Sequence, residues 1–126
     1  MYADDPTSQN RDGRLDIDPD NVVLTALAYA DDEAIGHIAL RRLGDDLEIK
    51  RMYVLPEQRG GTVADELLAE VEQEARALGA PRLILHTGDR QLAATAFYDR
   101  HGYTPIEVYP PYDQLAYSLC FEKVLR

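Results

Sequence analysis

One stretch of the chain joins a strand, two glycines and the start of a long helix. A strand is predicted from Leu47 to Leu55, Gly60 and Gly61 follow, and apolar residues at helical spacing begin at Ala64. The first turn of a helix has backbone N–H groups without partners, and the helix dipole adds positive charge there. This junction is therefore a candidate anion site. Its spacing matches neither the Walker phosphate loop nor the three-glycine Rossmann fingerprint.

The elements before this junction indicate a sheet. The run VVLTALAYA, from Val22 to Ala30, is apolar on both alternating faces, which predicts a central strand covered on both sides. A second strand is predicted from Ala34 to Arg41. A turn at residues 43–46 separates it from the third strand, so we expect an antiparallel meander.

The elements after the junction alternate between helix and strand. A helix with one buried stripe is predicted by Ala64, Leu67, Leu68, Val71, Ala75 and Leu78. Gly79 ends it, and a buried strand at residues 82–86 should lie parallel to the third strand through a right-handed crossover. A shorter helix is predicted from Arg90 to Arg100, with Gly102 as its cap, followed by strands near residues 103–108 and 117–124. The pattern predicts an α/β fold with a mixed, mostly antiparallel, twisted sheet.

Length and composition predict one folded domain. The chain has 126 residues, of which 45% are apolar and 29% are charged, so it can bury one core. Residues 1–20 are rich in Asp and interrupted by Pro and Gly, which predicts a flexible acidic arm. The folded domain is expected to be residues 21–126.

Several classes of protein are disfavoured by the composition. No apolar run approaches the roughly 18 residues of a membrane span, and the amino terminus lacks the layout of a signal peptide, so we expect a cytoplasmic protein without a membrane partner. The single cysteine, Cys120, excludes an internal disulfide or zinc cluster and is expected in the core. The net charge of −10 disfavours nucleic acid and is compatible with a cationic acceptor, although it can equally serve solubility.

Two motifs, in this order, resemble the GNAT N-acetyltransferase superfamily. The segment Arg59-Gly60-Gly61-Thr62-Val63-Ala64 resembles its acetyl-CoA pyrophosphate loop, and QLAATAFYDRHGY, residues 91–103, resembles its second signature. The resemblance covers roughly the last hundred residues. It implies an acyl-CoA N-acyltransferase fold with a strand–glycine turn–helix cofactor site, acetyl-CoA as co-substrate and no metal.

The resemblance also implies a set of cofactor-binding residues. Backbone around Met52 and Val54 would pair with pantetheine as an added strand does. Gln91 stands where relatives often have an Asn that contacts the pantetheine arm. The pyrophosphate would be wrapped by Arg59, Gly60, Gly61, Thr62, Val63 and Ala64. Thr62 departs from the family because a glycine, which lets backbone approach phosphate closely, usually stands there. Its hydroxyl could donate to phosphate or cap the helix.

Three residues are candidates for catalysis. Amine acetylation needs a neutral amine, a stabilised oxyanion and protonation of the departing thiolate. Tyr98 matches the family tyrosine that donates to the CoA sulfur. Glu48 stands where histone-acetylating relatives carry their base, and His86 ends a strand where several relatives have a catalytic or substrate-binding glutamate. The structural alternatives are a solvated Glu48, a packing or hydrogen-bonding His86 and a Tyr98 packed on the sheet.

Other residues near these motifs have weaker assignments. In a regular strand, Arg51 and Tyr53 lie on the face opposite Glu48 and are structural. Three tyrosines of the last loop could line an acceptor pocket or simply pack beside Pro110 and Pro111: Tyr109, Tyr112 and Tyr117.

The sequence as a whole predicts direct acetyl transfer from acetyl-CoA to the amine of a small acceptor. The alternative is a CoA-binding or regulatory module in which the altered loop no longer supports efficient catalysis. Superfamily members generally place a strand and two helices ahead of the strand matched to Val22–Ala30, and the short arm cannot supply them. We therefore expect a homodimer that covers the open sheet face, the alternative being that Leu15 and Ile17 anchor the arm across it.

Overall fold

The computed structural model describes residues 19–125. Within these residues, six strands form one sheet in the order β1-β2-β3-β4-β6-β5. The strands are β1 (Val22–Ala30), β2 (Glu33–Leu43), β3 (Asp46–Val54), β4 (Arg82–Gly88), β5 (Thr104–Ile106) and β6 (Ser118–Val124), and the helices are α1 (Val63–Ala77) and α2 (Leu92–Arg100). The predicted arm lies almost wholly outside the described residues.

The pairing of the strands confirms the predicted fold class. β1, β2 and β3 form the antiparallel meander, and β4 lies parallel to β3. β6 pairs antiparallel with both β4 and β5. A parallel pair needs a crossover, and α1 provides it between β3 and β4. The helix therefore begins beside the end of β3, where the candidate anion site was predicted.

The main core lies between the sheet and α1. The apolar stripe of the helix buries Leu67, Leu68, Val71 and Ala75, each at most 3% exposed. The sheet contributes Ile38, Leu40, Leu47, Ile49, Leu83, Leu85 and Phe121 to the same cluster. Because these sheet residues share one face, the alternate residues of β2, β3 and β4 face the other side, where the polar network described below lies.

The prediction that β1 is a central strand is wrong for the described part of the chain, because within residues 19–125 β1 forms an edge of the sheet. Leu24, Ala26 and Ala28 pack against the main core. On the other face, Leu27 and Tyr29 are 50% and 59% exposed. Both faces of this strand carry apolar residues, but only one of them is covered by the described residues.

A β-bulge in β3 overturns a second prediction. Arg51 has φ 57°, and the register with β2 shifts so that two β3 residues oppose one residue between His37 and Ala39. After the bulge, Met52 and Val54 join the core face, and Tyr53 instead contacts His37 at a ring distance of 5.9 Å. Tyr53 therefore lies on the same face as Glu48, because the extra residue reverses the alternation.

The remaining differences concern element ends. α2 begins at Leu92 rather than Arg90, and β5 is limited to Thr104–Ile106.

Cys120 is 2% exposed and unpaired, as expected of a core residue. Within residues 19–125, neither helix has the length and apolar character that a membrane crossing requires.

Candidate active site

A cleft opens where β3 and β4 separate. Their backbone pairing ends at Ile49 and Leu85, although both strands continue beyond these residues. A cavity of about 150 Å³ lies at this point, between the bulge of β3 and the end of β4. It is lined by Ile49, Lys50, Arg51, Met52, Leu85, His86, Thr87, Gly88, Gln91, Ala94 and Tyr98. The splay leaves the β4-facing side of Met52 and Val54 without a neighbouring strand, so an extended ligand can pair there.

A larger groove of about 760 Å³ continues from this cleft to the start of α1. The predicted cofactor residues that line it are Met52, Val54, Arg59, Gly60, Gly61, Ala64 and Gln91. Thr62 and Val63 are absent from its lining. Met52, Gln91, Ala94 and Tyr98 line both the groove and the smaller cavity, so one long ligand can extend through both spaces.

The first turn of α1 closes one end of the groove. The backbone N–H of Glu66 donates to the carbonyl of Thr62 at 2.9 Å, so the N–H groups of Val63, Ala64 and Asp65 have no partner within the helix. Gly60 adopts φ 86°, a conformation that favours glycine and reverses the chain before the helix. This turn offers donors and the positive helix end to an anion.

Thr62 does not cap this helix through its side chain. Its hydroxyl donates to Glu66 Oε2 at 2.8 Å, and the residue is exposed. Nearby, Arg59 Nε donates to the carbonyl of Val54 at 2.8 Å, and its guanidinium lies 5.3 Å from the ring centre of Tyr53. The side chain of Arg59 therefore joins the glycine turn to the end of β3.

Tyr98 is the central aromatic residue of the site. It lies on α2 and is 5% exposed, with its ring against Phe97 and Tyr103 at 5.1 and 5.4 Å. Because Tyr98 lines both the cavity and the groove, it lies at the junction between them. Gln91, at the start of the same helix, is exposed and lines the same two spaces.

Glu48 is fully buried, at 0% exposure, beside the cavity rather than in its lining. Its Oε1 accepts from Arg41 Nε at 2.6 Å, and its Oε2 accepts from the Tyr109 hydroxyl at 2.7 Å. Burial, followed by the charge of Glu48, raises the pKa of Tyr109, so this phenol stays protonated and continues to donate. Both carboxylate oxygens are thus engaged within the protein.

His86 lines the cavity on the same face of the sheet as Glu48. Its ring stacks on Tyr112 with 3.9 Å between centres and 2° between planes, and its Nε2 lies 3.0 Å from Ser118 Oγ. Burial, and secondarily the charge of Lys50, lowers the pKa of His86 to about 4. The imidazole is therefore neutral at physiological pH and has one nitrogen lone pair.

Two cationic residues of the site were missed by the sequence interpretation. Arg41 pairs with Glu48, and Lys50 Nζ donates to the Tyr112 hydroxyl at 2.6 Å. The pKa of Lys50 is lowered, mainly because the side chain is buried. The alternation of Glu48 with Lys50 places both on one face of β3, and the hairpin register sets Arg41 opposite Glu48. The alternation of Glu48 with Lys50 is visible in the sequence, whereas the pairing of Arg41 with Glu48 depends on the register of the strands.

The loop between β5 and β6 divides the three candidate tyrosines. Tyr112 is 1% exposed, and Tyr109 contacts it edge-on at 5.4 Å. Tyr117, in contrast, is 74% exposed. Tyr109 and Tyr112 thus support Glu48, Lys50 and His86, while Tyr117 lies outside this network. Across the described residues, no group of three metal-ligating side chains is close enough together to hold an ion.

The mixed sheet, the splayed parallel strands and the glycine turn at the start of α1 define the acyl-CoA N-acyltransferase fold. A model of the acetyltransferase (GNAT) family matches residues 2–103. The chain belongs to this family.

Relatives with curated names are acetyltransferases. The chain is 40% identical over 90 residues to an IAA acetyltransferase of Azospirillum brasilense, a match that covers 71% of this chain and 59% of the relative. It is 43% identical over 56 residues to an aminoalkylphosphonate N-acetyltransferase of Salmonella typhimurium, covering 44% of this chain and 36% of that protein. The chain thus spans about a third to three fifths of the length of these two relatives.

Solved structures share the fold. A Klebsiella pneumoniae structure assigned as an acyl-CoA N-acyltransferase has a TM-score of 0.80 and 31% identity, covering 96% of this chain and 84% of its own. The PaiA N-acetyltransferase of Thermoplasma acidophilum, in complex with coenzyme A, has a TM-score of 0.72, covering 82% of this chain and 61% of its own. At 23% identity, the second likeness concerns the fold alone.

Proposed function

We propose that the protein is an acetyl-CoA-dependent N-acetyltransferase that transfers the acetyl group directly to a small amine. The observation that carries this proposal is the continuity of the groove at the glycine turn with the small cavity at the splay of β3 and β4. The groove has donors for pyrophosphate at one end and free strand edge for pantetheine along its length. The thioester would then lie beside Tyr98 and His86.

In this proposal the neutral His86 accepts the amine proton. The Ser118 hydroxyl lies 3.2 Å from the carbonyl of Leu115, to which it donates. Because the hydroxyl proton is used in that bond, Ser118 Oγ is the acceptor in its contact with His86 Nε2. Nε2 therefore carries the ring proton and Nδ1 holds the lone pair. This tautomer leaves His86 a proton acceptor, and its lowered pKa makes it a modest base. Glu48, whose oxygens are both engaged, orders Arg41 and Tyr109 instead of taking the proton.

Tyr98 assists the departure of the CoA thiolate. The amine nitrogen attacks the thioester carbonyl carbon, an oxyanion forms, and the C–S bond then breaks with its electron pair on sulfur. Tyr98 donates its phenol proton to that sulfur while the amine proton passes to His86. A donor at this position acts on charge that develops only as the thiolate leaves, so it contributes mainly to turnover.

Cofactor binding and transfer should be tested separately. With acetyl-CoA at 100 times its dissociation constant, thermal denaturation should show about 2.7 kcal/mol of added stability. A panel of small amines assayed by release of the CoA thiol would then reveal transfer. Release of the CoA thiol faster than the rate without an acceptor supports the proposed acetyltransferase activity. Absence of a thermal shift at millimolar acetyl-CoA would overturn the proposal.

The second candidate function is a CoA-binding or regulatory module without efficient catalysis. It is favoured by Thr62, which replaces the usual glycine and whose hydroxyl is engaged by Glu66 rather than offered to a phosphate. A thermal shift with acetyl-CoA but no thiol release with any amine would support this alternative. Thr62→Gly should then tighten cofactor binding, because the side chain no longer limits the approach of the phosphates.

We also propose that the protein acts as a homodimer. The outer face of β1 presents Leu27 and Tyr29 at an edge of the sheet. Exposed apolar side chains on an edge strand favour association, and a twofold interface is the simplest closed arrangement. The alternative, that residues 1–18 cover this face, falls outside the described residues.

A further inference from the structure

The cavity at the splay of β3 and β4 has an uneven charge. Its lining includes Lys50 and Arg51 but no Asp or Glu. His86 also lines the cavity, but it is neutral at physiological pH because burial lowers its pKa to about 4. The nearest carboxylate in the network, Glu48, is neutralised by Arg41. Two cationic residues, and no carboxylate, therefore line a small, partly enclosed space.

Lys50 is incompletely compensated. Its ammonium donates to the Tyr112 hydroxyl at 2.6 Å and lies 4.9 Å from the centre of that ring. It forms no ion pair with a carboxylate among residues 19–125. An ammonium has three donors, so two remain for a ligand. A partly buried cation with unused donors is stabilised when an anion binds beside it.

Arg51 adds a second cation from the bulge. Its φ of 57° belongs to the β-bulge, which places this residue in the cavity lining next to Lys50. Its guanidinium likewise makes no ion pair within the described part of the chain. The planar fork of an arginine matches the paired oxygens of a carboxylate or a phosphonate.

We propose that the acceptor is a small amine bearing a carboxylate or phosphonate, and that Lys50 and Arg51 bind its anionic group. This inference rests on the proposed acetyltransferase function and specifies its substrate class. A cavity of about 150 Å³ has the volume of about five water molecules at about 30 Å³ each, so the part of the acceptor that enters it is small. A polyamine would place a second ammonium beside Lys50 and Arg51 and be repelled.

The local charge thus opposes the inference drawn from the whole chain. A net charge of −10 is compatible with a cationic acceptor, but it describes all 126 residues. Charges a few ångströms from a ligand in a partly desolvated cavity outweigh distant surface charges, which solvent and salt screen. Selectivity among acceptors should follow the cavity.

The experiment compares acceptors that share a primary amine and differ in the second group. Thiol release is measured with β-alanine, 2-aminoethylphosphonate, β-alaninamide and spermidine, at fixed acetyl-CoA. We expect kcat/KM for at least one of the two anionic amines to exceed that for β-alaninamide about 10- to 100-fold. The ratio of the two anionic amines distinguishes a carboxylate site from a phosphonate site.

Variants assign this selectivity to the two cations. Lys50→Met keeps most of the apolar stem, and Arg51→Gln keeps a polar side chain on the bulge. Each should remove most of the preference for the anion while the KM for acetyl-CoA changes little. Arg42→Gln is the matched control, because Arg42 is an exposed arginine on the neighbouring β2 and does not line the cavity. Circular dichroism and the midpoint of thermal unfolding establish that each variant is folded.

A binding arm separates failure of this inference from failure of the proposed function. Calorimetry measures N-acetyl-β-alanine and 2-acetamidoethylphosphonate against N-acetyl-β-alaninamide, none of which needs turnover. Tighter binding of an anionic product, lost in Lys50→Met, supports the site even in a protein that releases no thiol. Equal binding of acid and amide, or faster acetylation of spermidine or β-alaninamide, would overturn the inference while thiol release still supports an acetyltransferase.

Discussion

Tyr98 combines burial with a position at the junction of the cavity and the groove. Tyr98→Phe keeps the ring that packs against Phe97 and Tyr103 and removes only the hydroxyl. We expect kcat to fall by about 10- to 1000-fold while the dissociation constant of acetyl-CoA changes little, since in the proposed reaction the hydroxyl acts on the departing thiolate. Steady-state kinetics with calorimetry of acetyl-CoA measures both. Unchanged turnover in the folded variant would remove Tyr98 from the mechanism.

His86 is expected to affect both rate and acid stability. His86→Phe preserves a ring against Tyr112 and removes the proton acceptor, so kcat should fall about 100-fold or more. Free imidazole titrates near 6.5, whereas burial lowers the pKa of His86 in the folded protein to about 4. The unfolded chain therefore binds the extra proton between these values, and stability falls as pH decreases from about 6.5 to about 4.

The phenylalanine variant should lack this contribution to the pH dependence. Urea unfolding at pH 7.5, 5.5 and 4.5 measures it, with wild-type protein as the reference. A wild-type protein that loses no more stability than His86→Phe over this range would contradict a buried neutral imidazole.

Glu48 and His86 are rival candidates for the proposed base, and one pair of variants separates them. Glu48→Gln leaves the buried Arg41 without its charged partner, so we expect about 3–5 kcal/mol of lost stability. If Glu48 orders its neighbours, the variant lowers stability but retains the shape of the pH profile of kcat/KM. Loss of the ascending limb in Glu48→Gln, with the limb retained in His86→Phe, would instead assign the base to Glu48.

At the scale of elements, the contact between β2 and α1 determines where the glycine turn before α1 lies. Gly36 on β2 faces the start of α1. A Cβ there would meet the Tyr53 carbonyl oxygen at 3.0 Å, Leu67 Cδ1 at 3.1 Å and Val63 Cγ1 at 3.2 Å. Glycine at this position thus allows the first turn of α1, which supplies the free N–H groups, to pack closely on the sheet.

Gly36→Ala should therefore weaken both the fold and cofactor binding. Overpacking of this kind costs about 1–3 kcal/mol, and displacement of the first turn of α1 should raise the dissociation constant of acetyl-CoA. Urea unfolding and calorimetry of acetyl-CoA measure the two effects. Ala39→Gly, on the same strand but facing the other side of the sheet, is a control that should lower stability without the same loss of cofactor affinity. Unaltered stability in Gly36→Ala would show that α1 is less closely packed than these distances indicate.

For the whole molecule, the exposed face of β1 leads us to predict the mass of the protein in solution. The proposed homodimer should scatter light as twice 14.2 kDa at micromolar concentration. Leu27→Glu together with Tyr29→Glu should return it to one chain, because charges on that face cannot be buried in the interface. A single-chain mass for the unaltered protein would rule out the dimer.

The sequence alone determined the order and type of the elements, including the strand, glycine turn and helix at one end of the candidate site. Local signals suffice there: glycines at the turn, helical spacing from Ala64 and the Tyr98 segment all lie within short stretches of chain. The tertiary structure decided which faces are covered and which charges meet. Arg41, Tyr109 and Tyr112 reach Glu48 and Lys50 from distant positions, and the bulge at Arg51 reverses the alternation after it. Register, bulges and edge positions depend on pairing between strands, which no single stretch of sequence specifies.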